Sequence, residues 1–176
     1  MDPILPTISL KSQKVRQWLQ KVELFERFAN AILGIVHPDL LQAGLEANAI
    51  LNDNSSDKPY NWTSAYSGMD LIVNRITPPH RDAGGALSFY DLLVSLGEGH
   101  QANFQVTDLG ACFTYQPGTL IFLTGKVLEH AVPAWGGGER AIIAHYMKDL
   151  LHDRMDVPCP SLPSQMGWWA NFGSGK

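Results

Sequence analysis

Residues Gln116 to Val132 read QPGTLIFLTGKVLEHAV and give the clearest indication of the fold. This stretch begins with a Pro-Gly turn, continues as an apolar run, turns again at Thr124-Gly125 and ends in a second apolar run. Short apolar runs between turn residues are typical of strands in an antiparallel sheet. The stretch therefore predicts two strands, Thr119–Leu123 and Lys126–Val132, joined by a tight turn.

The same pattern extends in both directions from this stretch. Turn residues such as Trp135-Gly136-Gly137-Gly138 separate further short apolar runs. These runs predict strands at Met69–Ile76, Ser88–Leu96, Ala102–Val106, Ala111–Tyr115 and Arg140–Lys148. A succession of short antiparallel strands indicates a double-stranded β-helix, or jelly roll.

The region before the strands is predicted to be helical, from about Ser9 to Asn52. Apolar residues recur there at helical spacing, as in Val15, Leu19, Val22 and Ala29. Pro38 suits the first turn of a second helix, where a missing N–H is tolerated. We expect one α+β domain over residues 1–176, with helices in 1–52, the jelly roll in 61–150 and an irregular tail in 151–176.

The composition narrows the possible functions. The chain has 176 residues, 45% of them apolar, and a net charge of −4, which argues against binding to phosphate backbones by bulk charge alone. No apolar run is long enough to span a bilayer, and the start lacks the pattern of a signal peptide. Cys112 and Cys159 form no metal-binding pair, which favours a reducing, intracellular location. A monomer is the default expectation.

Four residues of the predicted barrel indicate its chemistry: His80, Asp82, His130 and Arg140. Two imidazoles and one carboxylate occupy one face of an octahedral Fe(II) and leave open the positions that a non-haem oxygenase needs. An arginine at the start of the last strand can bind a distal carboxylate through two parallel hydrogen bonds. Each residue alone is unremarkable, but the joint pattern predicts an oxygenase that uses Fe(II) and 2-oxoglutarate.

The expected geometry follows from strand alternation. Residues two apart share a face, so His80 and Asp82 can both point into the barrel. Because Pro78-Pro79 cannot donate ladder hydrogen bonds, the strand is predicted to end there. His130 is expected across the mouth of the barrel from this pair. The remaining histidines are predicted not to bind metal: His37, His100, His145 and His152.

From Asn74 to Lys148 the sequence resembles the oxygenase core of the TET/JBP family, and most of all the TET-like proteins of mushroom-forming fungi. The motifs that carry the resemblance are NRITPPHRD (74–82), YDLLVS (90–95), QPGT (116–119), GKVLEH (125–130) and GGER (137–140). The resemblance is strong over about half of the chain and looser over most of the remainder.

The resemblance implies roles for several residues. His80, Asp82 and His130 would bind Fe(II), Arg140 would bind the distal carboxylate of 2-oxoglutarate, and Asn74 would be a further cosubstrate contact. The implied reaction consumes O2 and oxidises a methylated base of DNA that is flipped into the pocket. The favoured reaction converts 5-methylcytosine to 5-hydroxymethylcytosine and higher oxidation products, in the nucleus.

The substrate contacts are open at this level. Phe89, Tyr90 and Asp91 are candidates for holding the base, although core aromatics beside a solvated carboxylate are an equal reading. Arg75, Arg81 and Lys126 are candidates for phosphate contacts, with ordinary surface charge as the alternative.

Two departures and three alternatives remain. Animal TET enzymes carry a cysteine-rich zinc region and JBP proteins a separate DNA-binding domain; this sequence has neither, so DNA docking differs or the chain is a core of something larger. The alternatives are demethylation of N6-methyladenine, the same chemistry on a protein or small molecule, and a binding module that has kept the scaffold without catalysis.

Overall fold

The computed structural model describes residues 12–54 and 62–164, which belong to two compact units. The first unit contains residues up to Ala65 and residues from His152 onward, and the second runs from Tyr66 to Leu151. The predicted helical residues 9–11 and the end of the predicted tail, 165–176, lie outside the described part. A single domain over the whole chain, with the predicted segment limits, stays a prediction.

The first unit contains two helices, α1 (Gln13–Val36) and α2 (Pro38–Asn54). Pro38 begins α2 as the sequence predicts, because its missing N–H is not needed in a first turn. Asn30 and Asn48 anchor the following segment: the Asn30 amide binds Thr63 O (2.7 Å) and Ala65 N (2.9 Å), and Asn48 binds Ser64 O (2.9 Å). These contacts bind residues 63–65 to both helices.

The second unit contains all the strands of the described chain and the start of a short helix. The strands are β1 (Gly68–Val73), β2 (Thr77–His80), β3 (Asp91–Glu98), β4 (Gln101–Val106), β5 (Ala111–Thr114), β6 (Leu120–Leu123), β7 (His130–Val132), β8 (Trp135–Gly136) and β9 (Glu139–Tyr146), and helix α3 is Asp149–Met155. All paired strands run antiparallel, in two sheets ordered β1-β9-β3-β6 and β2-β7-β4-β5, with β8 against β4. The predicted jelly roll with N-terminal helices is confirmed.

The core of this unit lies between the two sheets. Strand β4 alternates exposed and buried residues, and Ala102, Phe104 and Val106 form its buried row. They pack with residues of three other strands and with one residue just after β5: Leu123, Val132, Ile142 and Tyr115. The shared core holds both sheets against each other, so that residues from either sheet reach the same interior space.

Two predictions around the iron pair are wrong. Pro78-Pro79 does not end a strand but lies inside β2, which tolerates missing donors because it is an edge strand with one partner. The predicted strand Lys126–Val132 forms only at its end, since Val127 N and Leu128 N both bind Thr124 O at 2.9 Å and close a turn. The predicted turn at Trp135 also contains the short strand β8.

The position of His130 also differs from the expectation, because only the end of the predicted strand Lys126–Val132 forms. His130 begins β7, where it is paired in register with His80 of β2, rather than lying across the barrel mouth. The register slips between Thr77 and His80, which inserts an extra residue into β2 as a bulge. No helix in the described residues has the length and apolar character needed to cross a bilayer.

Candidate active site

Three side chains converge where β2 and β7 meet. His80 Nε2 lies 3.5 Å from Asp82 Oδ1, and His130 Nε2 lies 3.8 Å from Asp82 Oδ2. One potential ligand atom from each of the three residues lies within 4.8 Å of the other two. Among the described residues, this is the one group of three side chains that could hold a metal ion in this way. The adjacent positions of His80 and His130 in the ladder bring their ring centroids to 4.3 Å.

Backbone carbonyls orient both imidazoles in the same way. His80 Nδ1 lies 2.9 Å from Pro78 O, and His130 Nδ1 lies 3.0 Å from Leu128 O. A ring that donates from Nδ1 carries its lone pair on Nε2, and in both rings Nε2 is the atom turned towards Asp82. Burial lowers the pKa of His130 below its ordinary value, so that this imidazole is neutral at pH 7 and free to bind a metal.

Gly125 sets the position of Asp82. The Asp82 N–H donates to Gly125 O at 2.9 Å, which holds the residue beyond the end of β2. A Cβ atom at residue 125 would overlap Asp82 Oδ2 and would lie 2.6 Å from Asp91 Oδ2. Glycine is therefore required because two carboxylates approach its backbone, and the predicted turn Thr124-Gly125 has a direct role in the site.

Asp91 is the second carboxyl group at this point. Burial, with the neighbouring charge of Asp82, raises the pKa of Asp91 to about 7, and a hydrogen bond from the Gly125 backbone partly opposes the rise. A side-chain hydrogen bond with Asp82 raises this pKa further. Asp91 was predicted as a substrate contact, and it does line the cavity at the site.

Arg140 lies at the start of β9 and is 2% exposed. Its Nη1 donates to Arg75 O at 2.7 Å, its guanidinium carbon lies 5.7 Å from the centroid of the Tyr115 ring, and its buried Nε has no partner in the described residues. No carboxylate of the described chain forms an ion pair with it. A buried guanidinium without a counter-ion fits a carboxylate-bearing ligand, because an unpaired buried charge is costly.

Asn74, which directly follows β1, supports Arg140 through two hydrogen bonds. Its backbone N–H donates to Arg140 O at 2.8 Å, and its side-chain oxygen accepts from Arg140 N at 2.9 Å. Asn74 adopts a left-handed conformation, with φ of 49°, which lets both bonds form. It is exposed and is not among the described residues that line the cavity, so the predicted cosubstrate contact stays a prediction.

The three converging side chains and Arg140 line one cavity of about 480 Å³ in the second unit. Arg75, a predicted substrate contact, lines it too, whereas Phe89 is buried elsewhere and neither Phe89 nor Tyr90 is among the described residues of the wall. All three roles stay predictions. Several wall residues were not predicted from the sequence: Asp70, Phe104, Tyr115, His145, Tyr146 and Lys148. Phe104 belongs to the alternation of exposed and buried residues along β4, which was the available signal for it.

Two other candidate phosphate contacts are already engaged. Arg81 donates to both oxygens of Asp108, at 2.8 and 3.0 Å, and to Val127 O at 2.9 Å. Lys126 Nζ binds Ala83 O at 3.0 Å. Both side chains thus form hydrogen bonds within the protein, and their contact with phosphates stays a prediction.

The donor set fits the groups that the sequence predicts. Two imidazoles and one carboxylate, with open space beside them, are the ligands of a non-haem Fe(II) centre. The partnerless guanidinium in the same cavity fits the distal carboxylate of 2-oxoglutarate. Fold and site together define the class of 2-oxoglutarate- and Fe(II)-dependent oxygenases.

Comparison with known protein families indicates the same class of enzyme. The profile of the Tet_JBP family, described as the oxygenase domain of the 2OGFeDO superfamily, matches residues 6–149. The chain therefore belongs to the Tet_JBP family. This confirms the predicted family and the predicted kind of enzyme; enzymes of this superfamily use Fe(II), 2-oxoglutarate and O2 generally. No curated protein sequence gives a significant match.

Among solved structures, the chain is similar to NgTET1 in complex with 5mC DNA. The TM-score is 0.61 at 16% identity, and the match covers 96% of this chain and 63% of that chain. This chain thus spans less than two thirds of the NgTET1 chain, and the similarity supports the fold. A Cupin 2 conserved barrel domain protein from Salinispora arenicola CNS-205 matches more weakly, at a TM-score of 0.31 and 14% identity, over 55% of this chain and 77% of that one.

Proposed function

We propose that this chain is a dioxygenase that uses Fe(II) and 2-oxoglutarate to oxidise the methyl group of a methylated base in DNA, with 5-methylcytosine as the substrate and 5-hydroxymethylcytosine and higher oxidation products as the products. The observation that carries the proposal is the convergence of His80, Asp82 and His130 in the cavity that also holds the buried Arg140.

The residues divide the work between them. When bound, Fe(II) and 2-oxoglutarate supply the chemistry: O2 converts 2-oxoglutarate to succinate and CO2, and one oxygen atom enters a C–H bond of the substrate. The two Nε2 atoms and the Asp82 carboxylate hold the metal, while Pro78 O and Leu128 O keep both rings in the required tautomer. Arg140 fixes the cosubstrate by its distal carboxylate.

Three observations support a DNA base as the substrate. The family is Tet_JBP, the similar structure NgTET1 was solved with 5mC DNA, and the cavity is large enough for a flipped base beside the metal. Tyr146 and Arg75 in the cavity wall are available for contact with the base and its phosphates. Resemblance to fungal members, a nuclear location and a monomeric state remain predictions of the proposal.

A mass-spectrometric assay tests it. The protein is incubated with Fe(II), 2-oxoglutarate and ascorbate on matched duplexes that carry 5-methylcytosine, N6-methyladenine or no methyl group, and the digested nucleosides are quantified. We expect 5-hydroxymethylcytosine from the first duplex, in step with succinate, and none with His130→Ala. Loss of N6-methyladenine alone would replace the proposed base.

Succinate formation with no change in any methylated base would contradict the nucleic-acid proposal. It would leave the oxygenase chemistry in place with a protein or small molecule as its substrate.

A further inference from the structure

Asp108 is outside the cavity but is bonded to both segments that carry the converging ligands. It lies in a short 3₁₀ turn, Thr107–Leu109, directly after β4. Its carboxylate accepts two hydrogen bonds from Arg81, at 2.8 and 3.0 Å, and one from the backbone N–H of Glu129, at 2.6 Å. Arg81 stands between His80 and Asp82, and Glu129 directly precedes His130.

The bond to Glu129 has a particular consequence for His130. The N–H of Glu129 and the C=O of Leu128 belong to one planar peptide group. Asp108 binds the N–H end of this group, and His130 Nδ1 lies 3.0 Å from its C=O end. Fixing one end of a planar group fixes the other, so that Asp108 determines where the acceptor for His130 points.

Hydrogen bonds also hold the peptide groups before and after this one. Arg81 Nε donates to Val127 O at 2.9 Å, and the backbone N–H of Thr107 donates to Glu129 O at 2.9 Å. Three successive peptide groups before His130 are thus fixed by Arg81, Asp108 and Thr107. This segment forms no regular strand, because β7 begins only at His130. The bonds replace the ladder that would otherwise align it.

We propose that Asp108 is a positioning residue for the metal site: by holding the Leu128–Glu129 peptide, it orients His130 so that Nδ1 donates to Leu128 O and Nε2 faces the metal. An anionic acceptor at the N–H end also polarises the peptide and strengthens its carbonyl as an acceptor. The inference rests on the proposed function, since it assigns His130 to the metal. In this arrangement Arg81, which was predicted as a phosphate contact, fixes the Asp108 carboxylate by two hydrogen bonds.

A purely structural ion pair would behave differently. The Arg81 and Asp108 side chains are 47% and 37% exposed, and ion pairs of that exposure add little to stability. The chain offers a matched control in Glu23 and Arg27 of α1, an ion pair at 2.9 Å with similar exposure and no link to the metal site. Metal affinity, rather than thermal stability, is therefore the property that distinguishes the two roles.

Co(II) is a suitable probe, because it accepts the same ligands as Fe(II) and its visible absorption reports their geometry. Wild type, Asp108→Ala, Asp108→Asn, Glu23→Ala and His130→Ala are titrated with Co(II) alone, and their melting temperatures are compared. We expect Asp108→Ala to weaken Co(II) binding by about 10- to 100-fold, the usual effect of losing an outer support of a metal ligand, and to alter the spectrum. Glu23→Ala should bind as wild type does.

The conservative variant adds a rescue test. Asp108→Asn retains an oxygen that can accept from Glu129 N–H, so its affinity should stay within about threefold of wild type by the same reasoning. If Asp108→Ala does not fold, Arg81→Ala should weaken binding in the same direction by a smaller factor.

The outcomes separate the inference from the proposed function. Co(II) affinity in Asp108→Ala equal to that of Glu23→Ala would overturn the inference and leave the proposed function standing. An equal loss of Co(II) affinity in Asp108→Asn and Asp108→Ala would overturn the role of the acceptor oxygen. Failure of the wild-type protein to bind Co(II), or binding unaffected by His130→Ala, would overturn the proposed function and the inference with it.

Discussion

The two sheets of the second unit hold their functional residues in different ways. In the sheet with β3 and β9, the register runs without interruption from Leu92 to Glu98, and Arg140 lies buried within it. In the sheet with β2 and β7, the strands are short, the register slips, and the converging ligands lie at or beyond strand ends. Regular pairing thus positions the guanidinium, whereas individual hydrogen bonds position the metal ligands.

This difference separates the two halves of the site. The ligand side depends on a few bonds and close approaches, such as those of Gly125 and Leu128, so that single changes should remove the metal. The Arg140 side depends on burial in a continuous ladder, so that changes there should weaken the cosubstrate and leave the metal in place. The His130, Gly125 and Arg140 variants below are each expected to affect one side alone.

The largest effect is expected from His130→Ala. Loss of a metal ligand should weaken Fe(II) binding by more than about 100-fold, beyond the usual effect of outer supports. Iron content after dialysis against Fe(II) is the measurement. His145→Asn is the control, because His145 lines the same cavity but lies outside the converging group. Iron loss in the control as well would mean that the cavity collapses generally.

The second largest effect is expected from Gly125→Ala. The added Cβ would displace Asp82 and Asp91, so that the metal binds about 10- to 100-fold more weakly although no ligand has been replaced. Gly136→Ala is the matched control, since a Cβ there meets nothing within 4 Å. The measurement is Co(II) affinity, and identical affinities in the two variants would show that Asp82 does not depend on the approach to Gly125.

Arg140→Gln should weaken 2-oxoglutarate binding without loss of iron. Removing a charged, two-pronged donor costs about 1.5–3 kcal/mol, or roughly 10- to 100-fold in the dissociation constant. Calorimetric titration of the Mn(II)-loaded protein under nitrogen measures it. The affinity of Arg140→Lys for 2-oxoglutarate should lie between those of the wild type and Arg140→Gln, because lysine keeps the charge but cannot form two parallel hydrogen bonds. Reduced iron content in Arg140→Gln would show that the two halves are coupled.

The smallest effect concerns pH. Because the pKa of Asp91 is raised to about 7 in the folded protein, the metal-free protein should lose stability as pH rises from about 4 through 7. The folded state holds this proton more tightly than the unfolded state, so the contribution is complete only at low pH. Asp91→Asn should remove about 1–2 kcal/mol of this pH dependence, measured by urea unfolding at pH 5 and pH 8. An unchanged slope would contradict the carboxyl pairing.

Much of the regular sheet could be predicted from the sequence. The long apolar runs around Leu93 and Ile142 define β3 and β9 to within a few residues, because their burial imposes a clear pattern. The spacing of His80, Asp82 and His130 also predicts that they act together. Both inferences rely on local pattern and on known metal preferences, which a sequence carries directly.

The details of the irregular sheet could not be predicted. That β2 passes through Pro78-Pro79 depends on its being an edge strand, and the pairing of His80 with His130 depends on a bulge. Both are long-range properties with no local signal. Phe89 and Tyr90 do not line the described cavity, because alternation gives the face of a strand only where the strand exists, and β3 begins at Asp91. Their role as substrate contacts stays a prediction.

The central claim is that one cavity holds the metal on His80, Asp82 and His130 and the cosubstrate on Arg140. A crystal structure of the protein grown anaerobically with Mn(II) and 2-oxoglutarate tests it most directly. We expect one Mn(II) bound by both Nε2 atoms and the Asp82 carboxylate, with the distal carboxylate of 2-oxoglutarate against the Arg140 guanidinium. Metal bound at other residues, or a distal carboxylate away from Arg140, would contradict it.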